Sequence, residues 1–402
     1  MLAFTAGRLL TPTDAVEHPL VLVDHGLFLK VSARSRQQIS ADVPLSDFGN
    51  SVIAPGYIDL HIHGSAGYDV MDDSVEALPA IEQLLARHGV TSYFPTTVTA
   101  PLDITLRALE RLANAIEDRE PDRQQHHRHA HGDGSGRSRP LGIHLEGPFL
   151  SHARRGVHPP ENLLTPTLAL FEQFWQAARG RIRIMTIAPE LAGAPEVIAE
   201  AARRGVCVSL GHSDADFQEA KRGIAVGARH ATHTFNAMRP LDHRTLDDRS
   251  PGILGAVLTD PRVTADIIAD GVHLDPAIVK LFAQAKGPHS TVLITDCISA
   301  TGMPDGQYRL GSFEVDVRDG KCTVNGKLAG SVLTMDRAVR NLMQFAEWDL
   351  AHAVAAASLN PARVAQIADK GVIAVGADAD FVVLTPEGKV SRTFVGGVEC
   401  SR

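Results

Sequence analysis

The sequence contains little cysteine: four residues in 402, with no Cys-x-x-Cys pair among them. This spacing argues against a cysteine-ligated zinc site and a disulfide framework, and it predicts a reducing, cytoplasmic environment. The chain also lacks an apolar run of about 18 residues, so no membrane span is predicted. Its N-terminus lacks a basic region followed by an apolar run and a cleavage site, so no secretory signal is predicted.

Basic residues are in the minority, because 39 Lys and Arg stand against 47 Asp and Glu, giving a formal net charge of −8. A nucleic-acid-binding protein usually carries a clustered basic face; no such stripe is visible, and no nucleic-acid partner is predicted. The composition, 44% hydrophobic and 21% charged, is typical of a globular enzyme. A chain of this length can form one barrel domain with an appendage, or two to three ordinary domains.

Both ends of the chain carry strand-like segments separated by turn residues. Near the N-terminus they are residues 21–24 and 27–31, and near the C-terminus they are residues 371–373, 381–384 and 390–398. We therefore expect a small β-sandwich domain built from both termini, with residues 1–53 as its first part and residues 361–402 as its second.

The middle of the chain repeats a unit of helix, glycine and strand. Ser74 is the expected N-cap of a helix with apolar residues at helical spacing, Gly89 ends this helix in the left-handed conformation, and a strand over residues 90–97 follows. The same order returns at residues 197–210, 217–232 and 276–295. Alternating helices and apolar strands favour an α/β fold with a parallel sheet covered by helices. For residues 54–360 we predict a (β/α)8 TIM barrel, with an open doubly wound sheet as the alternative.

The segment over residues 120–139 interrupts this repeat. It is polar, contains glycine and carries four histidines, His126, His127, His129 and His131. Such a cluster can bind a metal adventitiously, but the composition is more typical of a solvated surface loop between a helix and the next strand.

Side chains that can bind a metal or transfer a proton follow five of the predicted strands. In chain order they are His61 and His63, Glu146, His212, His233 and Asp296. In a barrel the active site forms where the strands end. A single histidine or aspartate at a strand end is usually structural, but five such ends together indicate a metal site.

The chemistry of hydrolysis explains these residue types. A divalent metal lowers the pKa of bound water from 15.7 to about 7. It needs neutral imidazoles, a carboxylate and an open position, and this ligand set suits Zn²⁺ best, with Fe²⁺, Mn²⁺ and Co²⁺ as alternatives. A carboxylate beside that water can take its proton and later give it to a departing amine, and Asp296 is the candidate.

Longer motifs surround these residues. They are residues 54–64 (APGYIDLHIHG), 144–149 (HLEGPF), 211–213 (GHS), 232–238 (THTFNAM), 270–273 (DGVH), 295–296 (TD) and 328–331 (LAGS). Together they resemble the amidohydrolase superfamily, and within it the family of N-acetylglucosamine-6-phosphate deacetylases. The resemblance runs nearly end to end. The leading His-x-His is generic to the superfamily, whereas HLEGP and THTFNAM are far more specific.

The resemblance implies a metal-binding role for five residues. Glu146, His212 and His233 would hold the main metal, and Glu146 would bridge to a second metal held by His61 and His63. Some members of the family lack the histidine pair and use one metal. Because this chain keeps both histidines, one or two metals per subunit are expected.

The resemblance also implies contacts with substrate. The matching residues are Val157, His158, Asn236, Ala237, Arg249, Asp270, Gly271, Val272, His273, Leu328, Ala329 and Gly330. His158 matches a histidine that polarises the acetyl carbonyl, where a donor stabilises the tetrahedral oxyanion. Arg249 suits a phosphate because a guanidinium donates in a bidentate fork, and Arg239 and Arg244 are alternatives for that contact.

The activity that the resemblance implies is hydrolysis of N-acetyl-D-glucosamine 6-phosphate to D-glucosamine 6-phosphate and acetate by a cytoplasmic homodimer. Asp296 would act first as general base and then as general acid. One alternative is the galactosamine epimer, and another is an amidohydrolase for a cyclic amide or an N-acylated D-amino acid. A non-catalytic sugar-phosphate sensor is disfavoured because the metal ligands and Asp296 are all present.

Overall fold

The computed structural model describes residues 1–11, 14–34, 42–119, 136–241 and 250–401. The four histidines of the polar segment, Arg244 and Arg249 lie outside these ranges. The helices are α1 Ala77–Arg87, α2 Leu102–Glu117, α3 Leu168–Ala177, α4 Ala194–Arg203, α5 Phe217–Val226, α6 Gly252–Thr259, α7 Pro276–Lys286, α8 Met335–Ala346, α9 Leu350–Ala357 and α10 Leu359–Val364, with 3-10 turns at His152–Arg154 and Pro160–Asn162.

The strands are short and fall into several sheets. In chain order they are β1 Leu2–Thr5, β2 Arg8–Leu10, β3 Ala15–Glu17, β4 Pro19–Asp24, β5 Leu27–Ala33, β6 Leu45–Asp47, β7 Val52–Pro55, β8 Tyr57–Ile62, β9 Gly64–Ser65, β10 Tyr68–Asp69, β11 Val90–Pro95, β12 Arg139–Pro140, β13 Ile143–Glu146, β14 Ile182–Ile187, β15 Cys207–Leu210, β16 His230–Ala231, β17 Ala265–Ile268, β18 Thr291–Ile294, β19 Gly306–Leu310, β20 Phe313–Arg318, β21 Lys321–Val324, β22 Lys327–Leu328, β23 Phe381–Leu384, β24 Val390–Val395 and β25 Val398–Glu399.

Parallel strands follow one another around the centre of the molecule. Strand β8 pairs with β11, β13 to β16 pair in sequence, and β17 pairs with β18. Three backbone hydrogen bonds connect these groups: Thr97 N–H to His144 O, Thr234 N–H to Asp266 O, and Asp296 N–H to His61 O, each 3.0 Å long. The last bond joins the end of β18 to the end of β8, so the eight strands form a ring. The predicted α/β class is confirmed.

Apart from the exposed Arg183 at the start of β14, the residues of the ring strands are buried on both faces, which explains their nearly continuous apolar sequences. Helices alternate with them in the chain, and their apolar residues join the same core. Gly89 ends α1 at φ +86°, and a Cβ there would lie 2.8 Å from the ring of Tyr57, so only glycine fits. The predicted N-cap at Ser74 is wrong, because α1 begins at Ala77. The Ser74 hydroxyl instead accepts a hydrogen bond from the Glu76 amide at 3.2 Å.

The two ends of the chain meet in shared sheets. One sheet has the order β5-β4-β1-β6; the other, β25-β24-β23-β7-β2-β3, combines strands from both termini. An aromatic cluster lies between them: Phe381 stacks on Phe394 at 4.4 Å between ring centroids, and Phe4 meets Phe381 edge-on at 5.0 Å. The predicted strand at residues 371–373 is wrong, because this segment is irregular. Ile373 nevertheless packs in the same core.

An antiparallel sheet, β19-β20-β21-β22, follows the last ring strand and is named the inserted sheet. This sheet was not predicted from the sequence. Its buried residues, such as Val315 and Cys322, pack with Ile298 and Ala329, which places residues 329–330 beside the end of β18. No helix within the described ranges is both long enough and apolar enough to cross a membrane.

Candidate metal centre

Glu146 lies at the centre of a cluster of four histidines at the carboxyl ends of the ring strands. Its Oε1 atom is 3.2 Å from Nε2 of His212 and 3.1 Å from Nε2 of His233. Its Oε2 atom is 3.3 Å from Nε2 of both His61 and His63. All five side chains are buried, with at most 5% of each residue exposed. One carboxylate therefore spans two histidine pairs, which is the arrangement that a bridging ligand would need.

Backbone carbonyls orient three of these histidines. The Nδ1–O distances are 3.1 Å from His63 to Thr96, 3.0 Å from His212 to Arg154 and 3.2 Å from His233 to Asn236. A carbonyl oxygen can only accept, so each Nδ1 carries the proton. In the neutral ring, Nε2 then presents its lone pair to the centre of the cluster.

The Nε2 atoms of the four histidines are arranged as ligands of a cation. Nε2 of His212 lies 3.1 Å from Nε2 of His233, and the same distance separates Nε2 of His61 from Nε2 of His63. In the neutral rings of His212 and His233, two lone pairs at this distance repel each other unless a positive charge lies between them. In a tetrahedral zinc site with bonds of about 2.0–2.1 Å, neighbouring ligand atoms are about 3.3 Å apart. The residues thus fit a divalent metal.

The charges of the cluster support the same interpretation. Burial alone would raise the pKa of Asp296, but the hydrogen bond from His63 and the positive charges of the histidines hold this pKa below its usual range. Burial alone would lower the pKa of His233, but Glu146 and Asp296 raise it to about 9. The site therefore stabilises positive charge, which protons or a divalent cation can supply.

Three of the residues that follow ring strands have positive φ angles. They are 47° at His212, 29° at His233 and 51° at Asp296. Such conformations cost a non-glycine residue about 1–3 kcal/mol and persist only where the surroundings enforce them. Here the amide of His233 donates to the Asp266 carboxylate, and the amide of Asp296 donates to His61 O. These tight turns bring the side chains together over the ring.

Asp296 and His158 lie beside the cluster. Asp296 Oδ1 is 3.2 Å from Nε2 of His63 and 3.5 Å from Nε2 of His61. His158 Nε2 is 3.8 Å from Glu146 Oε2, and the His158 ring meets the ring of His212 at 4.7 Å between centroids. Burial, together with the positive charge of His212, lowers the pKa of His158 to about 3, so this ring is neutral.

The predicted contact residues after β16 lie next to the cluster. The carbonyl of Asn236 accepts from His233, and the carbonyl of Ala237 accepts from the Ser213 amide at 3.1 Å. The Asn236 Nδ2 atom is buried and has no hydrogen-bond partner within the described ranges. Arg239 is 6% exposed, and no ion pair or hydrogen bond of its guanidinium is present in that part of the chain. The loop after β16 therefore offers two side chains, Asn236 and Arg239, whose hydrogen-bond donors have no partner within the described ranges.

The other predicted contacts follow β17 and β22. Asp270 accepts from the amides of Val272 and His273 at 2.8 Å, and its second oxygen lies 2.7 Å from Nδ1 of His273. No hydrogen bond connects this turn to the histidine cluster within the described ranges. Gly330 is adjacent to Ser331, whose amide donates to Asp296 O at 2.8 Å. Val157 packs in the hydrophobic cluster of Ala329, whereas Leu328 is exposed.

Several residues that hold the cluster in place were not predicted from the sequence. Asp266 binds the His233 amide and also accepts from His230 Nε2 at 3.0 Å. A charged residue in the apolar strand β17 was the available signal. Thr99 contacts His158 across 59 positions of sequence, and His144 hydrogen-bonds to Thr186 at 2.7 Å. No local pattern reveals these long-range contacts.

Comparison with known proteins identifies the family. A sequence profile of the amidohydrolase family matches residues 52–400. The chain belongs to the amidohydrolase family. It is 36% identical to the N-acetylglucosamine-6-phosphate deacetylase of Lysinibacillus sphaericus over 86% of this chain and 84% of that protein. It is also 36% identical to the N-acetylgalactosamine-6-phosphate deacetylase of Escherichia coli O157:H7, over 88% of this chain and 89% of that protein.

Solved structures agree with this membership. A mutant of the Mycobacterium smegmatis N-acetyl-D-glucosamine-6-phosphate deacetylase, in complex with N-acetyl-D-glucosamine-6-phosphate, superimposes with a TM-score of 0.88 at 32% identity. The match covers 100% of this chain and 99% of that one. The similarity therefore includes the ring, the sheets at the two termini and the inserted sheet.

Proposed function

We propose that this amidohydrolase removes the acetyl group from N-acetyl-D-glucosamine 6-phosphate, releasing D-glucosamine 6-phosphate and acetate. The observation that carries the proposal is the buried cluster in which Glu146 spans two histidine pairs, with Asp296 beside it. It occurs in a chain similar over most of its length to deacetylases of phosphorylated amino sugars.

Five residues would hold the metal. Glu146, His212 and His233 form the main site, and His61 and His63 with the second oxygen of Glu146 form another, so one or two ions per subunit fit. Zn²⁺ is the proposed ion, with Fe²⁺, Mn²⁺ and Co²⁺ as alternatives for this ligand set. When bound, the metal would lower the pKa of a water molecule and polarise the acetyl carbonyl.

Asp296 moves the proton. Its lowered pKa keeps the carboxylate ionised at neutral pH, so it can accept a proton from the attacking water. Water adds to the acetyl carbonyl and forms a tetrahedral oxyanion. Asp296 then returns the proton to the amide nitrogen, and the carbon–nitrogen bond breaks to give acetic acid and the amine. The proton of the acid passes to the amine, so the products leave as acetate and an ammonium group. The proton balance therefore closes within one turnover.

His158 stabilises the oxyanion. It is neutral and buried, and its Nε2 atom lies near Glu146 without being within hydrogen-bond distance of it. A fixed donor aimed at a developing negative charge in a dry site is one of the largest contributions to acyl-transfer catalysis.

Arg239 is the proposed phosphate contact. A cation with almost no exposure is costly unless it has an anionic partner, and none is present within the described ranges. The free Nδ2 of Asn236, in the same loop, offers a further donor. Arg249 remains the contact implied by family resemblance. The remaining contacts are proposed for Val157, Ala237, Asp270, Gly271, Val272, His273, Leu328, Ala329 and Gly330.

The architecture that supports this site is proposed as follows. Residues 54–360 form a (β/α)8 TIM barrel, supported by the ring of parallel strands. Residues 1–53 and 361–402 form a β-sandwich domain, supported by the shared aromatic core. We also propose that the enzyme is a cytoplasmic homodimer.

A second candidate activity is removal of the acetyl group from N-acetylgalactosamine 6-phosphate. The Escherichia coli O157:H7 relative carries that name and is as similar in sequence as the Lysinibacillus sphaericus enzyme, at 36% identity. The two sugars differ in one inverted hydroxyl, so the contacts that distinguish them are few.

The test is acetate release by metal-reconstituted protein. N-acetylglucosamine 6-phosphate is compared with its unphosphorylated form and with the galactosamine epimer. We expect a preference in kcat/KM of at least about 100-fold for the phosphorylated glucosamine, which corresponds to about 2.7 kcal/mol in the transition state. Equal rates with and without phosphate would point to another amidohydrolase substrate, and a preference for the epimer would establish the second candidate.

A further inference from the structure

We propose that Thr99 is a positioning residue that keeps the proton of His158 on Nε2 and so makes His158 a hydrogen-bond donor instead of a metal ligand. The inference rests on the proposed role of His158. The Thr99 amide donates to Nδ1 of His158 at 3.3 Å, and the Thr99 hydroxyl lies 2.8 Å from the same nitrogen. Both groups of one residue therefore contact one ring nitrogen.

The direction of these hydrogen bonds follows from the chemistry of the donor. A backbone amide can only donate, so Nδ1 of His158 must present its lone pair to it. Within the described ranges the Thr99 amide has no other acceptor. The hydroxyl then donates to the same lone pair, and the neutral ring carries its single proton on Nε2.

This arrangement is the reverse of that of the neighbouring histidines. In His63, His212 and His233 a carbonyl oxygen faces Nδ1, so the proton lies there and Nε2 is free to bind a cation. The ligand atoms of Glu146, His158 and His212 also lie close enough together to hold a metal ion. A protonated Nε2 has no lone pair for a metal, so the partner at Nδ1 decides between ligand and donor.

Gly147 allows Thr99 to occupy this position. A Cβ at residue 147 would lie 2.1 Å from the Thr99 hydroxyl oxygen, and residue 147 has a φ of +78°. Any side chain there would displace the hydroxyl. The glycine that follows the bridging Glu146 therefore makes room for the group that orients His158.

The direct test is ¹⁵N NMR of the histidine rings in the zinc-loaded protein, with the His158 signals assigned by their loss in His158→Gln. We expect a protonated Nε2 and an unprotonated Nδ1 at His158. Thr99→Val, which removes the hydroxyl, should give mixed tautomers, and Thr99→Ser should restore the single one. Thr97→Val is the matched control, because the Thr97 hydroxyl is buried and has no hydrogen-bond partner within the described ranges. A proton on Nδ1 in the unmodified protein would overturn the inference.

Kinetics provide the second readout. Thr99→Val should lower kcat about tenfold, equivalent to about 1.4 kcal/mol, with little change in KM, because the hydroxyl acts on the oxyanion donor and not on sugar binding. Thr99→Ser should recover kcat, and Thr97→Val should leave it unchanged. Unchanged kcat and a single tautomer in Thr99→Val would refute a role for the side chain. If the unmodified enzyme releases no acetate, the proposed function is wrong. The inference about Thr99 is tested separately, because the NMR result does not depend on substrate.

Discussion

The replacement Asp296→Asn separates proton transfer from metal binding. The Asp296 carboxylate lies 3.2 Å from Nε2 of His63. Within the described ranges it forms ion pairs with His61 and His63 but with neither His212 nor His233. Asparagine has nearly the same shape and is one of the few residues that adopt the left-handed φ of 51° found here. The fold and the main metal site should therefore survive the change.

The expected loss is set by the role of a general base. A positioned acid–base group contributes about 10²- to 10⁴-fold to the rate, or about 2.7–5.4 kcal/mol in the activation free energy. Because an amide cannot take up the proton of water, kcat should fall by this factor or more while KM changes little. Acetate release measures kcat, and metal analysis by mass spectrometry measures the zinc content.

A control variant exists on the surface. Asp319 also has a positive φ, 50°, and is exposed in the inserted sheet, so Asp319→Asn tests the same substitution in the same backbone conformation. It should leave both activity and metal content unchanged. Near-normal kcat in Asp296→Asn would refute the assignment. Loss of the zinc bound by His212 and His233 would show that Asp296 acts as a ligand.

Three further predictions concern the phosphate, the metal and the terminal sheets. Arg239→Gln should lower kcat/KM about 10- to 150-fold for the phosphorylated sugar only, because a hydrogen bond to a charged group contributes about 1.5–3 kcal/mol; equal losses on the unphosphorylated sugar would contradict it. Zinc affinity should increase with pH up to about 9, because below the pKa of His233 a proton must leave before the metal binds. If the zinc affinity measured by competition with a chelator does not depend on pH, His233 is not a zinc ligand. Phe394→Ala should lower the free energy of unfolding by about 3–5 kcal/mol in urea titrations, whereas Val398→Ala, at an exposed position of the adjacent strand, should have little effect.

The sequence by itself determined which residues are candidates for the metal centre and in what order they follow the strands. Each lies directly after an apolar strand, and parallel strands of one sheet end on the same side, so the local pattern carries the information. The bridging role of Glu146 was a prediction from the family resemblance of its motif, and it stays a prediction. The left-handed turn at Gly89 and the helix over residues 276–286 were also predicted from local sequence, and the structure confirms both.

The tertiary structure decided how those residues are oriented. The protonation of His63, His212 and His158 depends on partners distant in sequence, such as Arg154 for His212 and Thr99 for His158, 58 and 59 positions away. Only His233 has its partner nearby, at Asn236. The inserted sheet packs residues 329–330 beside Asp296, a contact that no periodicity indicates. A sequence pattern records what each residue can donate or accept. Only packing brings donor and acceptor together, and in this cluster it separates the histidines proposed to bind a metal from the one proposed to donate a hydrogen bond.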